Sequence, residues 1–181
     1  PGRTDLPELP ADPQRTEADL RWLREAQGVD VVVGLLQAFE YHPIGDLPAL
    51  AEAAGLRYRA LPLPDGLIPV DTLDYGREVL RAAKALTEGR TVAVHCWAGL
   101  GRTGTFAAGV LQALGLAPQQ ALKEVRAARP GTVANDLQEA FVVQFPEVLA
   151  EVRAAKARLQ AEVAGPKPIE AMDLAELRHE L

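Results

Sequence analysis

The stretch from Val92 to Gly104 constrains this chain more than any other. It reads Val92-Ala93-Val94-His95-Cys96-Trp97-Ala98-Gly99-Leu100-Gly101-Arg102-Thr103-Gly104. The short apolar run has the length of a buried strand, the glycines mark a tight turn, and helical apolar spacing begins near Arg102. A strand that passes through a Gly-rich loop into a helix aims backbone N–H groups and the positive end of the helix dipole at one spot, which suits an anion. Gly99 and Gly101 permit the φ angles that such a curl needs. Arg102 closes the loop with a planar fork matched to two oxygens of a phosphate. Trp97, Ala98, Gly99, Leu100, Gly101 and Arg102 are therefore the expected phosphate-binding loop. Cys96, the single cysteine of the chain, stands at its floor. A thiol beside a helix N-terminus and an arginine has a depressed pKa, and a thiolate is a strong nucleophile at neutral pH.

The remaining pattern alternates strands with helices. A helix is expected from Thr16, its N-cap, to Gly28, with Leu20, Trp22 and Leu23 as the apolar stripe. Val29 to Leu36 reads as a strand buried on both faces. Gln37 to Gly45 reads as a loop carrying Glu40, Tyr41 and His42, followed by a short helix from Pro48 to Ala54. Leu56 to Leu61 is a partly exposed strand, and Pro62 to Pro69 is a turn-rich loop. Asp71 caps a helix to about Glu88, with Leu73, Val79, Leu80, Ala83 and Leu86 inward and Gly89 as its stop. Beyond the cysteine loop, helices are expected over Arg102 to Leu114 and Pro118 to Ala128. A long one starts at Asp136, with Leu137, Phe141, Phe145, Val148, Val152, Ala155 and Leu159 as its stripe. Pro146 lies inside it and predicts a kink near Val142 to Phe145.

This order implies an α/β fold with a central, mainly parallel sheet flanked by helices on both faces. In such sheets the ligand site lies beyond the carboxyl ends of the strands. Cys96 and Asp65 both stand at that edge. The expected organisation is an extended N-terminal segment (1–15), a catalytic domain (16–164), and a linker with a short C-terminal helix (165–181).

Of the 181 residues, 48% are hydrophobic and 24% charged, and the net charge is −6. That charge argues against nucleic acid or an anionic membrane as a bulk partner, while a local cradle still accepts a phosphate. No apolar run approaches the roughly 18 residues of a membrane span. One cysteine forms no internal disulfide, which points to a reducing, cytoplasmic setting. The sequence starts at Pro1 rather than Met, which leaves a removed leader open. Nothing in the pattern fixes an oligomeric state.

His95-Cys96-x-x-Gly99-x-Gly101-Arg102-Thr103 resembles the His-Cys-x5-Arg-Ser/Thr signature of the cysteine-dependent protein tyrosine and dual-specificity phosphatases. The resemblance spans roughly residues 15 to 150. It implies in-line attack of Cys96 on a phosphate monoester, a phosphocysteine intermediate, and no metal or cofactor. The Pro-Asp-Gly setting of Asp65 resembles the loop that bears the family's general acid, although an Asp-Gly turn pair accounts for the same residues. Leucine stands where classical tyrosine phosphatases have tryptophan in that loop, which favours the dual-specificity branch. Thr103 is expected either to donate to the sulfur or to cap the following helix. The resemblance gives His95 the role of bonding neighbouring backbone and helping to keep Cys96 ionised. Gln138 either orients the hydrolytic water, as related enzymes do with a glutamine here, or is an exposed helix residue. Asp136 reads as a helix cap, Arg129 as the partner of an acidic neighbour in preference to a substrate contact, and His42 and His179 as surface residues.

The expected substrate is a phosphorylated protein or a small phosphate monoester. Phosphotyrosine leads, with phosphoserine and phosphothreonine beside it. The alternative within the same chemistry is a phosphoinositide, an inositol phosphate or an RNA 5′-phosphate; the uncharged Trp97, Ala98 and Leu100 weigh against highly charged lipids. Two readings of other classes remain. A rhodanese-like sulfurtransferase leaves Asp65 and the Arg-Thr pair unexplained, and an inactive phospho-binding module leaves the nucleophile without a use. In the blandest reading, Cys96 is a small buried hydrophobe.

Overall fold

The structure, a computed structural model, describes residues 13–41 and 44–164. Three strands, β1 (Val29–Gly34), β2 (Arg57–Ala60) and β3 (Thr91–His95), form a wholly parallel sheet in the order β2-β1-β3. The helices are α1 (Pro13–Glu25), α2 (Ala38–Tyr41), α3 (Leu47–Ala53), α4 (Thr72–Thr87), α5 (Gly101–Ala113), α6 (Pro118–Ala128) and α7 (Asp136–Ala164).

The alternation of side chains along β1 builds both layers. Val32 points to one face and packs with Leu20 of α1 and Ala51 of α3. Val31 and Val33 point to the other face, toward Tyr75 and Val79 of α4, Phe106 of α5 and Phe145 of α7. That is why Val29 to Gly34 is almost unbroken valine: the strand has no wet face. Tyr75 is fully buried, with Phe106, Phe141 and Phe145 edge-on at centroid distances of 5.5–5.7 Å.

Asp71 caps α4 as expected, its carboxylate accepting the Asp74 N–H at 2.8 Å. Other expectations need correction. The first helix begins at Pro13, so Thr16 lies within it rather than at its cap, and residues 13–15 belong to its first turn. Gln37 to Gly45 is not all loop, because Ala38–Tyr41 forms a helical turn. Trp22, Leu86, Leu137 and Leu159, placed in apolar stripes, are exposed. Asn135, not Asp136, caps α7, accepting the Gln138 N–H at 2.9 Å. His42, His179 and the expected linker and helix over 165–181 lie outside the described residues.

Pro146 does not break α7, which runs through it without interruption. A proline at 146 leaves the carbonyl of Val142 without its helical donor. Gln112, buried in α5, supplies the missing hydrogen bond from its Nε2 at 3.0 Å. The remedy comes from a neighbouring helix. Replacing Gln112 with leucine is expected to cost ~1–2 kcal/mol of stability by orphaning that carbonyl. In a Pro146→Ala background the cost shrinks, since residue 146 then carries an N–H. Urea unfolding of the four chains measures this coupling, and equal losses in both backgrounds would refute it.

Candidate active site

Three loops converge beyond the carboxyl ends of the strands. The first follows β3. Its N–H at Gly99 donates to Cys96 Sγ at 3.2 Å, and Gly99 takes φ 69, a left-handed conformation that a side chain would strain. Cys96 is buried, and burial alone pushes its thiol upward. The Thr103 hydroxyl and N–H, the Gly99 N–H and the Arg102 charge outweigh that and hold its pKa below the ordinary thiol range. Thr103 Oγ1 is a buried oxygen that no other group among the described residues satisfies.

Arg102 is 1% exposed, and its fork is held by protein rather than left free. Glu40, in α2 just after β1, takes both terminal nitrogens: Nη1 donates to Oε2 at 2.7 Å and Nη2 to Oε1 at 2.8 Å. Nη1 also donates to the Leu63 carbonyl at 3.0 Å and lies 3.4 Å from that of Leu35. The Arg102 hydrogen bonds, helped by the Gln37 N–H, hold the Glu40 carboxyl below its ordinary range against the opposing effect of burial. The fork expected to take two oxygens of a phosphate is thus partly engaged by protein groups. The Nε N–H is buried with no partner among the described residues, and Nη2 is shared with Asp65 Oδ1 at 3.1 Å. The edge left for an oxyanion is thus Nε together with Nη2.

Asp65 comes from the second loop, after β2, and is 79% exposed even while it reaches Arg102. Its loop is tied down from behind: Asn135 Nδ2 donates to the Gly66 carbonyl at 2.9 Å and Gln138 Nε2 reaches that of Leu67 at 3.5 Å. Gln138 is not an exposed helix glutamine. It is 1% exposed, its Oε1 accepts the Ala134 N–H at 3.0 Å, and it fills the space that a Cβ on Gly101 would need.

His95 ends β3 with its ring partly buried, and that desolvation depresses its pKa. Its Nε2 stands 3.2 Å from the Tyr58 hydroxyl. Gly34 makes room for that pair, since a Cβ there would lie 1.7 Å from Tyr58 Oη. Arg129 has no acidic partner among the described residues; its Nη2 donates to the Ala98 carbonyl at 2.9 Å and braces the cysteine loop. A second brace comes from Val133, at φ 56, whose N–H reaches the Leu100 carbonyl at 3.4 Å while Arg126 holds the Thr132 and Val133 carbonyls. A β-branched residue with positive φ is strained.

Sequence reasoning missed Glu40, Asn135 and Val133. Glu40 left one signal, an acid directly beyond the carboxyl end of a buried parallel strand, where α/β sheets place their ligands. Val133 left none.

Residues 8–115 match the family described as "Tc-R-P: Polymorphic toxin system, DSP-PTPase phosphatase". The chain belongs to this family. The DSP-PTPase assignment agrees with its relatives. A mouse protein tyrosine phosphatase domain-containing protein 1 is 34% identical over 143 residues, a match spanning 70% of this chain and 18% of the relative, so the chain accounts for under a fifth of that protein. The active form of Tk-PTP superposes with a TM-score of 0.58 at 32% identity, covering 76% of this chain and 86% of the other. Kinase associated phosphatase, solved with its catalytic-site cysteine changed to serine, gives a TM-score of 0.68 at 24% identity, covering 74% and 77%. That last likeness shows the fold of this DSP-PTPase chain. No described helix is long and apolar enough to cross a membrane.

Proposed function

We propose that the chain hydrolyses phosphate monoesters through a phosphocysteine, with residues 16–164 as the catalytic unit. The observation that carries this reading is the Cys96 thiol, held toward its ionised form by Thr103, Gly99 and Arg102 at the mouth of a strand–loop–helix junction. In the proposed step the sulfur lone pair forms the S–P bond as the P–O bond to the leaving group breaks. Asp65, in its acid form, gives its proton to the departing oxygen. Water then attacks phosphorus, the thiolate leaves, and Asp65 regains a proton from that water. Loop N–H groups and the Nε edge of Arg102 meet the charge on the equatorial oxygens. Thr103 eases departure of the thiolate, His95 steadies the loop through Tyr58, and buried Gln138 stands behind Gly101 where the water would be oriented.

Phosphotyrosine in proteins is the substrate we favour. Phe39, Leu67 and Trp97, each one or two residues from Glu40, Asp65 or Cys96, are large and exposed, so the rim is apolar. An aromatic ester and its flanking peptide gain more from such a rim than a multiply charged headgroup does. The testing assay is hydrolysis of p-nitrophenyl phosphate with chelator present, expected to proceed and to stop with vanadate. A panel of phosphotyrosine, phosphoserine and phosphoinositide substrates then ranks the classes. Thiosulfate-to-cyanide sulfur transfer in place of hydrolysis would transfer the chain to the rhodanese reading.

Asp65→Asn is expected to slow the reaction by roughly 10²–10⁴-fold with alkyl or phenyl leaving groups, and far less with p-nitrophenol, which leaves without help. Leaving-group dependence of kcat/KM is the measurement. A uniform loss across leaving groups would remove Asp65 from the acid role.

A further inference from the structure

A second concentration of positive charge lies at the opposite edge of the sheet. Between β2 and α4 is a cavity of about 180 Å³ lined by Arg57 and Arg59 of β2, Arg81 and Lys84 of α4, Arg90 before β3, and one acid, Glu78. Its floor includes Val31 and Val33 of β1. Arg90 precedes β3 and Cys96 follows it, so the two sites are separated by the length of that strand, roughly 15 Å. Five cations gather here in a chain whose net charge is −6.

The acids present do not match them. Glu78 is buried, and its carboxylate holds Arg81 at 2.9 Å and Arg59 Nε at 3.3 Å. Glu88 pairs with both Lys84 and Arg90. Asp30 lies near Arg90, but its carboxylate is taken by Arg24 and the Thr91 N–H. Arg57 has no ionic partner among the described residues. Charged residues on an edge strand discourage pairing with other chains, which accounts for Arg57 and Arg59. It does not account for Arg81, Lys84 and Arg90 arriving at the same opening from two other elements. Like charges brought together repel, and an anion between them removes that cost. Glu78 fixes two of the guanidinium groups at the cavity wall before any ligand arrives, which lowers the entropy lost on binding.

We infer that this cavity binds a compact solute carrying two or more phosphate groups. Four arginines offer planar forks suited to phosphate oxygens. The cavity has room for roughly ten waters, more than a single orthophosphate fills. The inference does not depend on the activity proposed for Cys96.

The test is a titration of tripolyphosphate into the 181-residue Cys96→Ser chain, read by calorimetry and by backbone amide shifts. Shifts at residues 57–59 and 81–90 are expected, with saturation at one ligand per cavity. Arg57→Gln with Lys84→Gln should weaken that binding by about tenfold or more, and Lys123→Gln, outside the cavity, should not change it. Vesicles bearing phosphatidylinositol bisphosphate form a second arm. Shifts at the same residues with vesicles as well would make a lipid headgroup one source of the phosphates, and shifts with tripolyphosphate alone would make the ligand a free solute; both support the inference. Shifts confined to the cysteine loop, an unchanged Kd in the double variant, or equally tight binding of citrate would each overturn it.

Discussion

Replacing Cys96 with serine is expected to lower turnover of any phosphate monoester by on the order of 10⁴–10⁶-fold while leaving ligand binding in place. A serine hydroxyl ionises far above neutrality, and nothing in this loop is a strong base positioned to deprotonate it. The donors that hold the sulfur ionised are aimed at an anion, so they would still receive a phosphate. Steady-state kinetics beside equilibrium binding separates the two effects, and serine-supported turnover within tenfold of the parent would end the nucleophile assignment. The pH profile carries the same physics. Because the thiol is held below its ordinary range, kcat/KM should climb with pH on the acid side as the sulfur ionises and level off before that range is reached. A limb centred where free thiols titrate would mean that Thr103, Gly99 and Arg102 do not stabilise the thiolate.

The second large effect concerns Arg102 and Glu40, which act as one unit. Arg102→Lys is expected to reduce kcat by roughly 10²–10³-fold, since an ammonium replaces a planar group with a point charge and forfeits the Nε contact. Glu40→Gln removes the bidentate counter-charge of a guanidinium that is 1% exposed and leaves it only the contact to the exposed Asp65. Removing one partner of a buried pair costs about 3–5 kcal/mol. The cost should depend on pH in a definite sense. Glu40 titrates below its ordinary value of 4.5 in the folded chain, so its contribution is full above that value and fades as pH falls through the lower, folded one. Parent and Glu40→Gln stabilities should therefore differ most near neutrality and converge in acid. A difference that stayed constant down to low pH would show that the pair is not ionic.

The cysteine loop was legible in the sequence because its parts are contiguous: strand, glycines, cysteine and arginine occupy one run whose local geometry follows from residue type. The layers were legible for a similar reason, as β1 is valine on both faces and α4 carries its own cap. What escaped was long-range or compensatory. Glu40 meets Arg102 across 62 residues, from a helical turn too short to show a period. Pro146 was a real signal, but its answer lay on α5, where Gln112 is one glutamine among many until it is placed beside Val142. Gln138 was named through the resemblance, but its alternative as an exposed helix residue stayed open because nothing local tells which side of α7 meets the cysteine loop. Val133 is more telling still, since valine is among the last residues that backbone preference would put at φ 56.

The anchoring of the Asp65 segment has its own consequence. With Gly66 and Leu67 tethered to the start of α7 and the Leu63 carbonyl fastened to Arg102, the proposed proton donor, Asp65, is already held over the loop. Enzymes that must swing such an arm inward recruit affinity from distant portions of a large molecule to drive the motion. Here no such toll is levied. Minimal esters should be served nearly as well as elaborate ones, and choosiness has to come from the contour of the entrance.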